Sequence, residues 1–300
     1  MVNIWVITDG KPGHQNQSLG LTDALQKLGG VGSVDLVPPL PRHRALLMLC
    51  GLVNRRPLAL PAPDLIVTTG HQTHLSSLAY KRFYRTPVVV LMKPSLPLNW
   101  FDLCLIPHHD KPSEQANVVA TYGALNRMAA PESPKEGKPL ILLGGPSKHA
   151  RWDDQAVLSQ FVRICAHYPN VLATTSRRTP ATTVQALSAL AIPNLELVPF
   201  EETDANWLKT HLPQAPEAWV TIDSVSMIYE ALTAQCRVGV MELEPIDKQP
   251  TRVIAGIYQL FKEQLVTPFS EFSQTSIVKE ANQTFNEAAR CAAIVKERLL

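Results

Sequence analysis

The sequence has no surplus of either charge. Its 28 basic residues stand against 26 acidic ones over 300 positions, so nothing global selects nucleic acid or an acidic polymer, and any anion must be held locally. It also lacks an apolar run long enough to cross a bilayer, which takes about 20 residues. The longest run, Ala45 to Cys50, resumes after Gly51 only as far as Val53. No charged and apolar leader precedes the first strand pattern, so no signal peptide is expected. The five cysteines (Cys50, Cys104, Cys165, Cys236 and Cys291) are odd in number and never spaced C-x-x-C. They are read as reduced core residues of a cytoplasmic protein. There is no G-x-x-x-x-G-K-[ST] loop, no G-x-G-x-x-G fingerprint and no G-x-S-x-G elbow. NTPase, dehydrogenase and serine-hydrolase readings fall with them. Asp-x-Asp is missing as well, and with it the usual metal site of one nucleotide-sugar transferase fold.

What is present is a repeated unit: a short β-like run, a glycine-rich turn and a helix start. Val2 to Thr8 leads into Asp9-Gly10-Lys11-Pro12-Gly13-His14, and Pro139 to Leu143 leads into Gly144-Gly145-Pro146-Ser147-Lys148-His149. Glycine lets the chain turn tightly and bring backbone N–H groups up to a phosphate. Strand-like runs alternate with helical periodicity almost throughout, which predicts parallel sheets covered on both faces. Pro131 to Lys138, polar and holding two prolines and a glycine, reads as a linker. The expected architecture is α/β, with two Rossmann-like domains facing an interdomain cleft. They take residues 1–134 and 135–275, and a last helix, 276–300, is expected to pack back on the first domain.

In the first turn, Lys11 and the N–H groups of Gly10 and Gly13 are candidates for holding an anion. His14, and secondarily Asp9, is the candidate base, because imidazole titrates at about 6.5. Gly70 and His71, with Lys93 and Ser95, mark further strand ends of the same half. His71 and His74 stand i, i+3, and His108-His109-Asp110 forms another cluster, but without more ligands at suitable spacing no metal is expected. In the second half, Gly144, Gly145, Ser147 and Lys148 offer donors to a phosphate. Ser176, Arg177 and Arg178 suit a pyrophosphate, since a guanidinium donates two parallel bonds. Ser224 is expected to cap a helix whose first-turn amides, at Val225 and Ser226, face the ligand, while Glu230 two turns on accepts ribose hydroxyls. The plainer alternatives are solvated turns, a capped helix and a surface glutamate. Pro41 to Pro57 brackets apolar residues with Arg42, Arg44, Arg55 and Arg56. That pattern fits either a core helix with basic ends or a helix lying on an anionic membrane.

The strings TDGKPGHQNQ, GHQTH, VLMKPSLPLNWFDLCLIPHHD, TYGALN (Thr121 to Asn126), GGPSKH, TSRRTP and DSVSMIYEA together resemble the mitochondrial-fission "elongated mitochondria" family of plants and its bacterial relatives, from about Trp5 to Val240. That family in turn resembles GT-B glycosyltransferases, notably the lipid-linked N-acetylglucosaminyltransferase of peptidoglycan synthesis and the lipid A disaccharide synthase. By this resemblance Gly13-His14 falls where the peptidoglycan enzyme has a glycine-rich turn ending in histidine. Ser147, Arg178, Ser224 to Ser226 and Glu230 fall on the donor diphosphate and ribose side. The function implied is metal-independent transfer from a nucleotide-diphosphate sugar, with no cofactor, to an envelope glycolipid at the inner face of the cytoplasmic membrane. Two other implied readings are a nucleotide-sugar 2-epimerase and a catalytically silent scaffold for a protein partner, because plant members are associated with recruiting a fission dynamin.

Overall fold

The computed structural model describes residues 1–53, 58–247 and 249–300. Arg55 and Arg56 of the basic segment lie outside the described residues. The chain divides into two compact units, Met1–Arg127 with Glu287–Leu300, and Met128–Asn286. The expected break near 134 moves to 127 because the polar segment is anchored in the second unit. Lys135 Nζ donates to the carbonyls of Ala215 and Ala234 (2.8 and 2.7 Å), and Gly137 N–H donates to Gln214 O at 3.0 Å.

The first unit runs β1 (Val2–Ile7), α1 (Pro12–Lys27), β2 (Val31–Val37), α2 (Arg42–Leu49), β3 (Leu65–Thr69), α3 (His74–Tyr84), β4 (Val88–Leu91), β5 (Leu103–Pro107) and β6 (Val118–Thr121). Its strands form one parallel sheet in the order β2-β1-β3-β4-β5-β6. The second unit runs β7 (Leu140–Leu142), α4 (Asp154–Cys165), β8 (Val171–Thr174), α5 (Ala181–Ala189), β9 (Leu195–Val198), α6 (Trp207–His211), β10 (Glu217–Thr221), α7 (Val225–Thr233), β11 (Arg237–Met241), α8 (Arg252–Lys262), β12 (Thr267–Pro268) and α9 (Phe269–Thr275). Its sheet, also parallel, is ordered β12-β11-β10-β7-β8-β9. A final helix, α10 (Glu287–Leu299), belongs to the first unit.

The two-residue strand period explains why both faces of the first sheet are buried. Ile4 and Val6 face Leu21 and Leu25 of α1 together with Cys291, Ala292 and Val295 of α10. Trp5 and Ile7 face Ala45 and Met48 of α2 and Leu78, Ala79 and Tyr80 of α3. The last helix therefore completes a core, and it starts at Glu287 rather than at Ser276. Ser276 ends α9 in the left-handed region (φ 54°), which stops the helix there. Four of the five cysteines are buried as expected, but Cys50 is exposed at the end of α2. Among the described residues no helix is long and apolar enough to cross a membrane.

Both sheets reverse their winding beside the first strand of the unit. From β1 the chain moves outward to β2 and then returns to β3 on the other side of β1. From β7 it moves to β8 and β9, then returns to β10 on the other side of β7. Loops leaving the two strands at such a reversal diverge and open a crevice at their carboxyl ends. Most of the sequence candidates fall at these two places, while Lys93 and Ser95 follow β4 and Ser176 to Arg178 follow β8.

Candidate functional site

In the first unit the loop after β1 carries Asp9, whose side chain is 1 % exposed. His14, in the first turn of α1, places Nδ1 3.1 Å from both carboxylate oxygens of Asp9. Burial on its own would raise the Asp9 carboxyl. Hydrogen bonds from His14 and from the Lys11 N–H, with the nearby charges of His14 and Lys11, hold it below its ordinary value. An ionised carboxylate only accepts, so Nδ1 donates to it, and in the neutral form of the imidazole Nε2 is the atom that keeps the lone pair. Gly70, after β3, makes room for the pair. Its φ is +93°, and a Cβ there would lie 2.5 Å from His14 Nδ1.

The other first-unit candidates have distinct places. The Gly10 N–H is taken by Thr8 Oγ1 at 3.2 Å, so it is not free for an anion as expected, and Lys11 Nζ sits 3.6 Å from Asp9. Gly13 and His14 have no partner for their N–H groups among the described residues, as befits the first turn of a helix opened by Pro12. A Cβ on Gly13 would meet nothing within 4 Å. His71 is exposed in the turn before α3, whereas His74 is buried and its Nδ1 lies 3.2 Å from Ser95 Oγ. Burial, then the charges of His71 and His14, push His74 down to about 4, so it stays neutral near pH 7. Lys93 follows Met92, a left-handed residue (φ 67°), and donates from Nζ to Asp110 O at 3.2 Å. Among the described residues no group of three or more His, Cys, Asp or Glu side chains is placed to hold a metal ion.

In the second unit the loop after β10 carries Asp223, whose side chain is fully buried. Its Oδ2 accepts from Gly145 N–H at 3.0 Å, from Ser224 Oγ at 3.3 Å and from Arg178 at 2.8 Å. Arg178 also donates to Gly145 O (3.0 Å), Pro146 O (3.2 Å) and Ser224 Oγ (3.1 Å). Gly144 N–H donates to Thr221 Oγ1 at 2.8 Å. The two glycine amides expected to face a phosphate are thus spent inside the protein. The glycines are required for another reason: a Cβ on Gly144 would collide with Ser224 and Asp223, and one on Gly145 with the Arg178 backbone. Ser176 Oγ donates to Gly144 O at 2.9 Å, fixing the same turn. Ser224 does not cap α7 with its side chain, because its hydroxyl is committed to Asp223 and Arg178.

Several groups remain available. The N–H groups of Val225 and Ser226 have no partner among the described residues, and they open a nine-residue helix. Ser147 Oγ accepts from His149 and Ala150 N–H (3.1 and 3.3 Å), which leaves its own hydrogen to donate. Lys148 and Arg177 are exposed, and Arg177 stands 5.8 Å above the Phe200 ring. Arg177 also lines a cavity of about 560 Å³ together with Thr175, Ser176, Phe200, Trp207, Leu208 and Met227, among others. Glu230 lies one turn beyond Met227 on the same face of α7. Burial pushes its carboxyl up to about 7, only partly offset by the charge of Lys209.

The family model for mitochondrial fission ELM1 matches residues 12–299. The chain belongs to the mitochondrial fission ELM1 family. A Rickettsia prowazekii relative, uncharacterized protein RP120, is 30% identical over 122 residues, covering 36% of this chain and 32% of the relative. The chain thus spans about a third of that relative. Among solved structures, Acinetobacter baumannii MurG matches with a TM-score of 0.52 at 13% identity, covering 99% of this chain and 100% of that one. A Listeria monocytogenes protein assigned as a UDP-N-acetylglucosamine 2-epimerase matches with a TM-score of 0.54 at 12% identity, covering 99% and 96%. At such identities the likeness establishes the fold, two Rossmann-like units of GT-B type.

Sequence reasoning on this ELM1-family chain overlooked Asp223 as an organiser and all of Phe200, Thr203, Asp204, Trp207 and Leu208. Asp223 was visible as an acidic residue directly after a strand and before a helix start. The aromatic pair gave no periodic signal, because Phe200 sits in a single 3-10 turn and Trp207 opens a five-residue helix.

Proposed function

We propose that this protein binds a nucleotide-diphosphate sugar on its second unit and transfers the sugar to an acceptor hydroxyl, with His14 as general base. The observation that carries the reading is the Asp9–His14 pair. The buried carboxylate fixes the tautomer and stabilises the imidazolium once Nε2 has taken the acceptor proton. The acceptor oxygen then forms a bond to the anomeric carbon, and the carbon–oxygen bond to the diphosphate breaks with its electron pair leaving on the nucleotide. On the donor side, the free amides at Val225 and Ser226, the Ser147 hydroxyl and the Lys148 ammonium suit the diphosphate. The 560 Å³ cavity suits a nucleobase between Phe200 and Trp207, and Glu230 suits the ribose hydroxyls. Arg178 acts in this reading by holding the Gly145–Pro146 turn and Ser224 in place. An envelope glycolipid remains the proposed acceptor, which asks for peripheral attachment to a membrane.

A thermal-shift panel of nucleotides and nucleotide sugars tests the binding step. Ligand at 100 times its Kd stabilises by about 2.7 kcal/mol, and each kcal/mol raises Tm by about 2–4 °C. A broad panel without any shift would overturn the donor reading and leave the scaffold role, in which the fold serves to bind a protein partner.

A further inference from the structure

We propose that the first unit docks on an anionic phospholipid surface through α2 and α3, with an apolar groove between them receiving acyl chain. This does not depend on the sugar-transfer reading. Helix α2 buries only Ala45 and Met48. Leu46 is 52% exposed, Leu47 45% and, just beyond the helix, Leu52 70%. Three large aliphatic side chains within seven positions are thus left in water, where scattered single ones are the norm. Beside them opens a groove of about 810 Å³, with Leu49, Leu75, Leu78 and Pro87 in its wall and Trp100, half exposed, also lining it. That volume falls in the range of about 300–1,000 Å³ typical of small-molecule sites.

The unpaired charges around this apolar surface are of one sign. Arg82 and Arg85 line the groove, and Arg42 and Arg44 lie exposed in the first turn of α2. None of the four enters an ion pair among the described residues. The single acid in the lining, Asp102, is neutralised by Lys81 at 2.7 Å. Two arginines in a helix's first turn, with no acid beside them, oppose the helix dipole, so they do not serve the stability of α2. A small ligand in the groove would leave Leu46, Leu47 and Leu52 wet, whereas a bilayer covers them and the groove together. Each cation near an anionic bilayer is worth about fivefold in affinity, and an indole at the mouth suits the headgroup level.

The test uses the full chain without nucleotide, sedimented with vesicles of phosphatidylglycerol and phosphatidylcholine in equal parts or of phosphatidylcholine alone. Binding to the anionic vesicles is expected to be at least tenfold tighter and to weaken with salt. The double variants Arg82→Glu/Arg85→Glu and Leu46→Ser/Leu47→Ser should each lose about tenfold or more, with circular dichroism confirming that these exposed changes leave the fold intact. Lipids brominated on the acyl chain should quench part of the tryptophan fluorescence, and Trp100→Phe should remove that part. Equal binding to both vesicle types, binding to neither, unchanged binding by both double variants, or quenching unaltered by Trp100→Phe would each overturn the proposal. Because no sugar nucleotide is present, failure here leaves nucleotide-sugar binding and the role of His14 standing and bears only on a membrane-borne acceptor, while a nucleotide panel without any thermal shift leaves the membrane docking standing.

Discussion

Each unit sets a buried carboxylate two residues past the end of a strand at its winding reversal, Asp9 after β1 and Asp223 after β10. In both, a glycine on the opposing loop gives the carboxylate room, Gly70 in the first unit and Gly144 in the second. The units differ in the partner. Asp9 holds a histidine, whose imidazole can both accept and donate a proton, whereas Asp223 holds an arginine, whose guanidinium serves as a fork of fixed donors. One backbone solution therefore yields a site fitted to move a proton and a site fitted to hold a fixed arrangement of donors. The order along the chain is also inverted: the first strand of unit one brings the acid, and the first strand of unit two brings the glycines.

The sharpest break in this contrast is His14→Ala. It should lower turnover by about 10²-fold or more while leaving the nucleotide-induced thermal shift intact. A turnover within threefold of the parent protein would remove His14 as the base. Next come the glycines. Gly70→Ala and Gly145→Ala should each destabilise by about 1–3 kcal/mol in thermal unfolding, because a methyl group must displace His14 in one and backbone in the other. Gly13→Ala, at an open helical position, should be neutral or slightly stabilising by up to about 1 kcal/mol. Equal losses at all three positions would show that close packing is not what selects them.

Asp223→Ala leaves the buried Gly145 N–H without its acceptor and should cost about 1–3 kcal/mol, measured by urea unfolding. An effect visible only in the pH dependence of stability is expected from Glu230→Gln. The folded carboxyl titrates at about 7 against an ordinary 4.5. Its contribution is thus fully present below about pH 4.5 and is lost as pH rises through 7. The parent protein should lose about 2–3 kcal/mol more than the glutamine variant between pH 5 and pH 8. Parallel pH–stability curves for the two proteins would contradict the burial of this group.

The βα alternation, both glycine turns and the places of Asp9 and His14 were legible in the sequence because they lie within one strand–helix turn, but sequence alone offers the two as alternative bases, and only the structure pairs them. The fate of the Gly144 and Gly145 amides was not. Their acceptors, Thr221 and Asp223, stand 77 and 78 residues away along the chain. Sequence spacing can announce a phosphate-binding turn but cannot tell whether another loop already fills it. The same holds for Arg178, whose expected freedom to clamp a pyrophosphate is taken up by Asp223, Ser224 and two carbonyls.

The sequence by itself determined two parallel α/β sheets, since continuous apolar strands flanked by amphipathic helices have no other way to bury both faces. It also set the chemistry available at each strand end through residues a few positions apart. Only the tertiary structure decided that α10 completes the first core, that a buried carboxylate stands at each reversal, and that leucines of α2 stay in water. Those outcomes depend on which distant segments meet, and pairing between remote parts of a chain leaves no periodic mark in either one.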